Sequence, residues 1–324
     1  MSDSNSDSNA VFVGFDVAKD FIDVCLLQGE RKRLWRVRQT AAELAKLARK
    51  LAKLKPQLLV AQATGGDERE LADACRRLEL PLVVKNPKQI RDFAKSRGIL
   101  AKTDRVDAYV TALYGQLMRP ELRELASREQ RELADQSAYR QSVVKDRAAL
   151  KVRLQRASDE GIRASIARRI SHAAEEIKQV EATIKKLIAG NEQWCSRAKL
   201  ASTVPGIAVQ VSRVIVADAA ELGRINDKQA AALVGVAPYA DDSGKSHGRR
   251  RIRGGRSRLR RMFYMAARTA VRVDAGLREF YQGLVARGKP KQLALIAVAR
   301  KLVVIVNHMF RDNRPYLAQP SSVS

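Results

Sequence analysis

The sequence has few cysteines and no long apolar run, and each shortage excludes a class of protein. Its 324 residues include 3 cysteines, at positions far apart in the chain, which argues against a disulfide framework or a zinc ribbon and favours a reducing compartment. No segment reaches the roughly 20 consecutive apolar residues of a membrane helix. Residues 1–10 are rich in Ser, Asn and Asp and lack the apolar core of a signal peptide, so we expect a disordered tail there. These features predict a cytoplasmic protein with no membrane partner.

Negative charge is also scarce. Lys and Arg number 61 against 35 Asp and Glu, a net charge of +26. The segment 201–324 is the most basic part, and the run from Lys245 to Arg261 contains no acid. A polyanion is the natural partner, because each neutralised phosphate releases counterions, whereas a solubilising surface would interleave acids. The bases expected to contact nucleic acid are Lys245, Arg249, Arg250, Arg251, Arg253, Arg256, Arg258, Arg260 and Arg261.

Residues 11–120 alternate between strand and helix patterns. The predicted strands are Val11–Asp16, Phe21–Leu27, Arg33–Arg38, Gln57–Gln62 and Leu80–Val84, and the predicted helices are Ala41–Leu54, Glu70–Leu78, one that begins at Pro87, and Asp104–Leu117. Apolar residues spaced for one helical face, and short β-rich runs bounded by turn residues, are the basis of this assignment. Three consecutive strands followed by alternating helices and strands resemble a ribonuclease-H-like α/β domain.

The composition and periodicity of residues 121–324 differ from those of the first segment. Residues 121–195 are poor in glycine and predict two long helices, with a bend at residues 158–161, which form a helical hairpin or coiled coil. Residues 196–324 predict a mostly α-helical C-terminal domain, punctuated by Gly and Pro breaks. We therefore expect three segments after the tail, namely 11–120, 121–195 and 196–324.

Three aspartates of the first segment have the placement of metal ligands. Asp16 ends the first strand, and Asp104 and Asp107 share one face at the start of a helix. Such carboxylates repel one another unless a cation lies between them, and their hard oxygen atoms favour Mg²⁺ or Mn²⁺. Two such ions about 4 Å apart align a phosphodiester for in-line attack. Alternatively, Asp104 stabilises the helix N-terminus and Asp107 is a solvated partner of a nearby base.

Several stretches together resemble a known family. VFVGFDVAKD, QATGGDERELA and NPKQIRDFAKSRGILAKTDRVDA, followed by TVPGIAVQVSRVIVADA, AALVGVAPYADDSG and LRRMFYMAA, are similar to segments of the DEDD transposases of bridge-RNA-guided insertion sequences. That family also includes DNA invertases of the Piv type. The resemblance extends in order over nearly the whole chain, with the helical hairpin between its two halves.

The resemblance implies a RuvC-like domain in which four acids bind metal. Asp16 matches the first acid, and Asp104 and Asp107 match the third and fourth. The second acid belongs to an E-A-T-G motif, where this sequence has Gln62. Glutamine keeps the shape and one carbonyl oxygen but loses the negative charge, so metal binding should be weaker. Two interpretations remain open, an inactivated site or a site that works with three acids. We do not expect the nearby acids of residues 67–70 to replace the missing one.

The resemblance also assigns a nucleophile. Ser243, in the Asp-Ser-Gly motif, matches the serine that attacks the DNA phosphodiester and forms a covalent phosphoserine link. A Ser-Gly turn exposes the hydroxyl group, and the adjacent bases can neutralise the developing phosphorane. From the residues alone, a turn serine in a phosphate-binding loop is the alternative. Ser246 is a competing nucleophile, and His247 is either a proton carrier or a phosphate contact.

Other motifs have less specific interpretations. Residues 203–207 resemble a helix-hairpin-helix corner, with Ala208 where a second glycine is usual, and a structural corner is an equal alternative. Phe263 and Tyr264 follow a helical pattern that favours core packing. His172 and His308 have no partner in sequence and fit ordinary helical positions.

Together these observations predict a transposase that acts as an RNA-guided, site-specific DNA recombinase. The expected partners are donor and target double-stranded DNA, a noncoding bridge RNA and further copies of the chain in a dimer or tetramer, with Mg²⁺ or Mn²⁺ as cofactor. The active site would combine the acids of one subunit with the serine of another. The alternatives are a hydrolytic nuclease like a Holliday-junction resolvase, a cleavage-impaired RNA- and DNA-binding form, and an invertase that needs no RNA.

Overall fold

The computed structural model describes residues 10–122, 125–239 and 251–317. Its contacts divide the chain into two compact units, Met1–Ala126 and Ser127–Ser324. The first unit contains a mixed five-stranded sheet, and the second is mostly helical. The helical hairpin therefore belongs to the same unit as the C-terminal helices, whereas the sequence suggested a separate segment.

The sheet of the first unit has the strand order β3-β2-β1-β4-β5. Its strands are β1 (Val11–Val17), β2 (Phe21–Gln28), β3 (Arg31–Arg38), β4 (Leu58–Gln62) and β5 (Leu82–Lys85). Strands β1 to β3 are antiparallel neighbours, while β4 is parallel to β1 and β5 is parallel to β4. The central strand β1 is buried on both faces, which explains its continuous apolar sequence.

Four helices cover the two faces of this sheet. They are α1 (Ala41–Lys53), α2 (Arg69–Arg77), α3 (Pro87–Ser96) and α4 (Asp104–Met118). Helices α1 and α2 pack on the face that carries Val13 and Phe15, and α3 and α4 pack on the face that carries Phe12. Because side chains alternate along a strand, Asp16 points to the same face as Phe12, which is the face covered by α4.

Glycine at position 14 allows α4 to approach β1 closely. A Cβ atom at Gly14 would lie 2.1 Å from the backbone nitrogen of Ala112 and 2.3 Å from the carbonyl oxygen of Ala108. No side chain fits there, so the helix rests directly on the strand. This contact places the first turn of α4 beside the end of β1.

The second unit begins with a long helical hairpin and continues with shorter helices. Its elements are α5 (Arg128–Arg156), α6 (Glu160–Ala189), α7 (Glu192–Ser202), α8 (Val209–Asp218), α9 (Asp227–Val234), β6 (Pro238–Tyr239), β7 (Arg251–Ile252), α10 (Ser257–Val273), α11 (Ala275–Ala286) and α12 (Lys291–Asp312). The side chain of Asp159 accepts a hydrogen bond from the backbone of Ile162 and caps α6 at the predicted bend.

The hairpin is joined to the following helices by packing and by buried hydrogen bonds. Leu133 of α5 and Ile184 of α6 form one apolar cluster with Trp194 of α7. The buried amide of Gln130 donates to the carbonyl oxygens of Val216 and Ala217, at 3.2 and 2.9 Å. These contacts explain why the hairpin and the C-terminal helices form one unit.

Within the described residues, α12 is the one helix long and apolar enough to cross a membrane by length and composition. Half of its most apolar window is buried in the protein. Val298, Leu302 and Val306 lie in the main core of the second unit, beside Leu259 and Phe263 of α10. The apolar face of α12 is thus used in packing.

Most predicted elements of the first segment are confirmed, with shifts of one or two residues at several ends. The predicted corner at residues 203–207 joins α7 to α8, and Val204 and Ile207 are buried in the core. Gly206 has a φ of +86°, and a Cβ atom there would lie 2.3 Å from the carbonyl oxygen of Ala266. The corner therefore packs directly against α10.

We expect Gly14→Ala to destabilise the first unit strongly, because the added methyl group meets the backbone of α4. The free energy of unfolding should fall by about 3 kcal/mol, measured by urea denaturation of the full chain. Gly283→Ala is the control, since a Cβ atom at Gly283 has no neighbour within 4 Å and the position is helical. It should leave stability unchanged or slightly raised. Equal stability of the two variants would contradict the close packing of β1 on α4.

Candidate functional site

Three of the predicted site residues meet at the end of β1. Thr103 caps α4 by accepting a hydrogen bond from the backbone of Val106, which places Asp104 and Asp107 in the first helical turn. Partial burial raises the pKa of Asp16 to about 6, and the negative charges of Asp107 and Asp104 add to this increase. Asp16 lies opposite Asp23 in the sheet, and Arg36 connects Asp23 to Asp104, so the three predicted carboxylates lie in the same region of the first unit. Their role as metal ligands stays a prediction.

The charge of this cluster is only partly compensated. Burial raises the pKa of Asp107, and the charge of Asp104 raises it further. The positive charges of Lys102 and Arg91 act in the opposite direction, but the net result is still an increase. Carboxylates that resist ionisation in this way favour a bound cation.

Asp23 and Arg36 are additional members of the site that the sequence reasoning missed. In the sheet register Asp16 lies opposite Asp23, and Asp23 lies opposite Arg36. The Nη2 atom of Arg36 donates to Asp23 Oδ2 at 2.6 Å and to Asp104 Oδ2 at 2.8 Å. These two carboxylates raise the pKa of Arg36. Arg36 thus joins β2 and β3 to the start of α4.

One signal in the sequence points to Asp23. It is the single acid in the strand sequence FIDVCLLQ, and it is 5% exposed. A buried acid needs a charged or hydrogen-bonding partner. The partner on the neighbouring strand becomes apparent only once the register of β2 and β3 is known.

Gln62 lies at the end of β4 and is connected to α4 through Thr111. The Nε2 atom of Gln62 donates to Thr111 Oγ1 at 3.2 Å, and this hydroxyl group donates to the carbonyl oxygen of Asp107 at 2.7 Å. A glutamate at position 62 has no donor and would compete with that carbonyl oxygen for the Thr111 hydroxyl proton. The amide is therefore well accommodated where the family motif has an acid.

Glu68 is held by the loop that follows β4. Its Oε2 atom accepts hydrogen bonds from the backbone nitrogens of Thr64 and Gly66, both at 3.0 Å, and from the Thr64 hydroxyl at 2.8 Å. Burial alone raises the pKa of Glu68, but these hydrogen bonds outweigh it and the net pKa is lowered. Glu68 therefore stabilises the loop through these hydrogen bonds and does not substitute for the acid missing at position 62.

The donor set suits a hard divalent cation, but the side chains do not form a closed ligand shell. In the described part of the chain, no three His, Cys, Asp or Glu side chains are grouped closely enough to hold a metal ion. Asp104 is paired with Arg36, and the fourth position is a neutral amide. The fit lies in the chemistry of the donors, which are carboxylate oxygens with excess negative charge.

The arginines predicted to bind nucleic acid differ in their surroundings. Arg258 forms an ion pair with Asp218, and both side chains are mostly buried. Burial and the nearby charge of Arg261 lower the pKa of Arg258 to about 10. Arg256 pairs with Glu221 at 2.5 Å, and the Nη1 atom of Arg260 donates to the carbonyl oxygen of Gly254 at 3.0 Å. These three side chains have intramolecular partners in the second unit.

The other predicted residues of this run fall into two groups. Arg251, Arg253 and Arg261 are exposed. Ser243, Ser246, His247, Lys245, Arg249 and Arg250 lie outside the described residues. The nucleophile assigned by resemblance therefore has no structural description.

The remaining aromatic and histidine predictions concern the helices. Phe263 is fully buried in the core of the second unit, whereas Tyr264 is partly exposed. The Nε2 atom of His308 lies 2.8 Å from Asp227 Oδ1. His172 is an exposed residue of α6.

We expect Asp16→Asn to stabilise the metal-free protein above pH 6 and to have little effect below pH 4. The pKa of Asp16 is raised in the folded state, so folding loses stability as the pH rises through about 6. Solvent screening reduces the gain from Asp16→Asn at pH 8 to about 1 kcal/mol. Urea denaturation in EDTA at both pH values measures it. Asp20→Asn, at an exposed residue, is the control. An equal gain at pH 4 and pH 8 would show that charge is not the cause.

We expect Arg258→Ala to lower stability and Arg261→Ala to weaken DNA binding. Arg258→Ala leaves Asp218 buried without its partner, which should lower the free energy of unfolding by about 3 kcal/mol. Arg261→Ala, at an exposed position, should change stability by less than about 0.5 kcal/mol. It should instead weaken DNA binding and lower the salt dependence of affinity by about one unit of slope. Urea denaturation measures stability, and salt-dependent fluorescence anisotropy measures DNA binding. A larger loss of stability in Arg261→Ala than in Arg258→Ala would contradict the structural role of Arg258.

Comparison with known proteins finds a transposase family match in each half of the chain. Residues 13–160 match the DEDD transposase domain of the IS110 type, and residues 198–282 match the domain described as "Transposase IS116/IS110/IS902 family". The "Pilin gene-inverting protein" of Moraxella lacunata is 30% identical over 274 residues, covering 80% of this chain and 81% of the relative. The protein of the same name from Moraxella bovis is 30% identical over 272 residues, with the same coverage.

An insertion-element protein is a more distant relative. The "Insertion element IS110 uncharacterized 43.6 kDa protein" of Streptomyces coelicolor is 27% identical over 154 residues, which is 47% of this chain and 37% of that protein. The two family matches follow one another along the chain, first residues 13–160 and then residues 198–282. The similarity to the pilin gene-inverting protein of Moraxella lacunata spans about four fifths of each chain. The chain therefore belongs to the IS110 family of DEDD transposases and is a DNA recombinase of that family.

Proposed function

We propose that this protein is a transposase that acts as an RNA-guided, site-specific DNA recombinase. It cleaves and rejoins DNA strands through a phosphoserine intermediate, with the help of metal-binding carboxylates. The observation that carries the proposal is the cluster of Asp16, Asp104 and Asp107 at the end of β1, in a chain of the IS110 family. A ribonuclease-H-like, RuvC-like arrangement of the first unit is consistent with the order of its strands and helices.

The cofactor that fits this cluster is Mg²⁺ or Mn²⁺. Asp16, Asp104 and Asp107 would hold it, and the side-chain carbonyl oxygen of Gln62 would take the fourth place as a neutral donor. When bound, the ion neutralises negative charge on the phosphodiester and orients it. Arg36 fixes one oxygen of Asp104 and so limits the directions that this carboxylate can face. The loop around Glu68 keeps the end of β4 in place.

Ser243 is the proposed nucleophile. Its Oγ atom forms a bond to phosphorus, the bond from phosphorus to one bridging oxygen breaks, and the serine proton passes to solvent or a nearby base while the freed DNA end gains a hydroxyl group. One phosphoester bond replaces another, so the reverse reaction rejoins strands without an external energy source. Lys245, Arg249 and Arg250 are neighbours in sequence and would neutralise the developing phosphorane charge.

The proposed partners follow from charge and from the relatives. The net charge of +26 exceeds what one DNA site needs, which supports a second polyanion, the noncoding bridge RNA. The names of the Moraxella relatives describe the inversion of a pilin gene, and inversion requires both cutting and rejoining of strands. A dimer or tetramer brings the acids of one subunit to the serine of another. The protein acts in the cytoplasm, on DNA of the nucleoid.

A cleavage-impaired form that binds RNA and DNA is the second candidate. Gln62 supports it, because the amide removes one negative charge from the ligand set and is itself hydrogen-bonded to Thr111. In this form the protein assembles with its nucleic acids but cuts slowly or not at all. A glutamate at position 62 would then restore cleavage.

We expect the protein to form an SDS-stable covalent adduct with DNA in the presence of Mg²⁺ and its RNA. The test incubates the protein with the neighbouring noncoding RNA and labelled junction DNA, and then separates the products on a denaturing gel. Ser243→Ala should abolish the adduct and leave RNA binding intact, because only the nucleophile is removed. Gln62→Glu should raise the yield of adduct by restoring the fourth charge.

The outcome of the adduct experiment distinguishes between the candidate functions. An adduct from both the natural chain and Gln62→Glu supports recombination with three acids. An adduct from Gln62→Glu alone supports the cleavage-impaired form. Free nicked DNA ends without adduct support a hydrolytic nuclease, and an adduct that does not depend on RNA supports an invertase. An adduct that persists in Ser243→Ala would falsify the assignment of the nucleophile.

A further inference from the structure

A groove of about 390 Å³ is lined by residues of α3 and α4, and Asp107 is the one member of the carboxylate cluster among them. Gln62 and Asp107 line one part of it, and side chains of α3 line another. The groove lies entirely within the first unit. A ligand bound in the groove would therefore lie beside Asp107.

One wall of the groove is basic. Lys88, Arg91 and Lys95 of α3 are three and four residues apart, which places them on one helical face, and Lys102 lies on the loop before α4. Positions 88 and 95 are about 10 Å apart along the helix axis. Two phosphates of one extended DNA strand can span this distance. The spacing suits successive phosphates better than a single small anion.

Most of these charges are available to a ligand. In the described portions of the chain, no carboxylate forms an ion pair with Lys88, Lys95 or Lys102. Arg91 is held in place because its guanidinium group donates to the carbonyl oxygen of Leu100 at 3.0 Å. The groove contains one further acid, Asp92. The basic wall therefore has more positive charge than its surroundings neutralise.

The floor of the groove is apolar and narrow. Ile90, Ala94 and Val110 line it, and all three are buried in the core between the sheet and its helices. A groove of this volume is at the small end of ligand sites, about 300–1,000 Å³, and cannot hold both strands of a duplex. Among the described residues that line the groove there is no aromatic side chain for base stacking, so binding would depend on contacts with the phosphates.

We propose that this groove binds the sugar-phosphate backbone of one unpaired DNA strand and leads its scissile phosphodiester to Asp107. The inference rests on the proposed function, since Asp107 in the groove is one of the carboxylates assigned to DNA cleavage. Lys88 and Lys95 contact phosphates, and Arg91 supports the loop that carries Lys102. The groove thus adds a strand-binding site to the carboxylate cluster, and this site acts before any chemistry takes place.

The test compares two charge-matched double variants of the full chain. Lys88→Gln with Lys95→Gln alters the groove, whereas Lys53→Gln with Lys55→Gln removes equal charge from exposed residues at the end of α1, which packs on the opposite face of the sheet. Thermal denaturation first confirms that both are folded. Binding of an eight-nucleotide fluorescent single-stranded DNA is then measured over a range of salt concentrations in EDTA.

We expect the groove variant to lower the slope of log affinity against log salt by about 1.4, because each lost phosphate contact on a single strand contributes roughly 0.7. The control variant should keep the slope of the natural chain. An oligonucleotide that carries 5-iododeoxyuridine should cross-link under light to a peptide within residues 87–110, and the groove variant should lose this cross-link. For duplex DNA, the two variants should have equal slopes.

Several results would overturn the proposal. They are equal slopes for the two variants with single-stranded DNA, cross-links confined to the second unit, and a larger effect of the groove variant on duplex DNA or on RNA of the same sequence. Since the assay contains no metal and no cleavage, it is independent of the adduct experiment. A natural chain that binds through the groove but forms no adduct would support this site and contradict the proposed recombination.

Discussion

The direct contact of α4 with β1 is the constraint on which the candidate site depends. Gly14 lets the helix backbone rest on the strand, so the first turn of α4 has little freedom relative to the end of β1. Asp104 and Asp107 are in that turn, and Asp16 is two residues after the glycine. Residues that are 88 positions or more apart in sequence are thereby held together by a contact that involves only backbone. This packing would also supply the rigidity that the proposed metal site needs.

Nearby positive charge compensates part of the repulsion among the carboxylates beside this contact, but not all of it. Arg36 binds Asp23 and Asp104 at once, which offsets part of the repulsion, while Asp16 and Asp107 keep raised pKa values. Gln62 is neutral where the family motif has an acid, so the cluster carries one negative charge fewer than that motif would give. With one acid fewer the cluster has less repulsion in the absence of metal, and it would hold the proposed metal less tightly.

Much of the first unit could be predicted because its signals are local. The order of strands and helices follows from apolar periodicity, and Asp16, Asp104 and Asp107 follow from strand ends and helix starts. The partnership of Asp23 with Arg36 depends on strand register, which periodicity does not supply. The role of Gln62 depends on Thr111, a residue of another element.

The basic run of the second unit illustrates the same limit. All of its arginines look alike in sequence, because composition reports charge and not the partner of that charge. The acids that pair with Arg256 and Arg258 are about 35 to 40 residues earlier in the chain. Likewise, the attachment of the hairpin to the later helices depends on Gln130 and on carbonyl oxygens 86 and 87 residues away.

The position of β3 at the edge of the sheet has a consequence for assembly. Five of its eight residues are Lys or Arg, and at the opposite edge β5 has only four residues. A second copy that added its own β3 to this edge would bring two rows of positive charge together, and a short strand offers few hydrogen bonds for pairing. Both edges of the sheet therefore oppose the joining of strands between molecules. This arrangement lowers the tendency of the chain to aggregate through its sheet edges at high concentration.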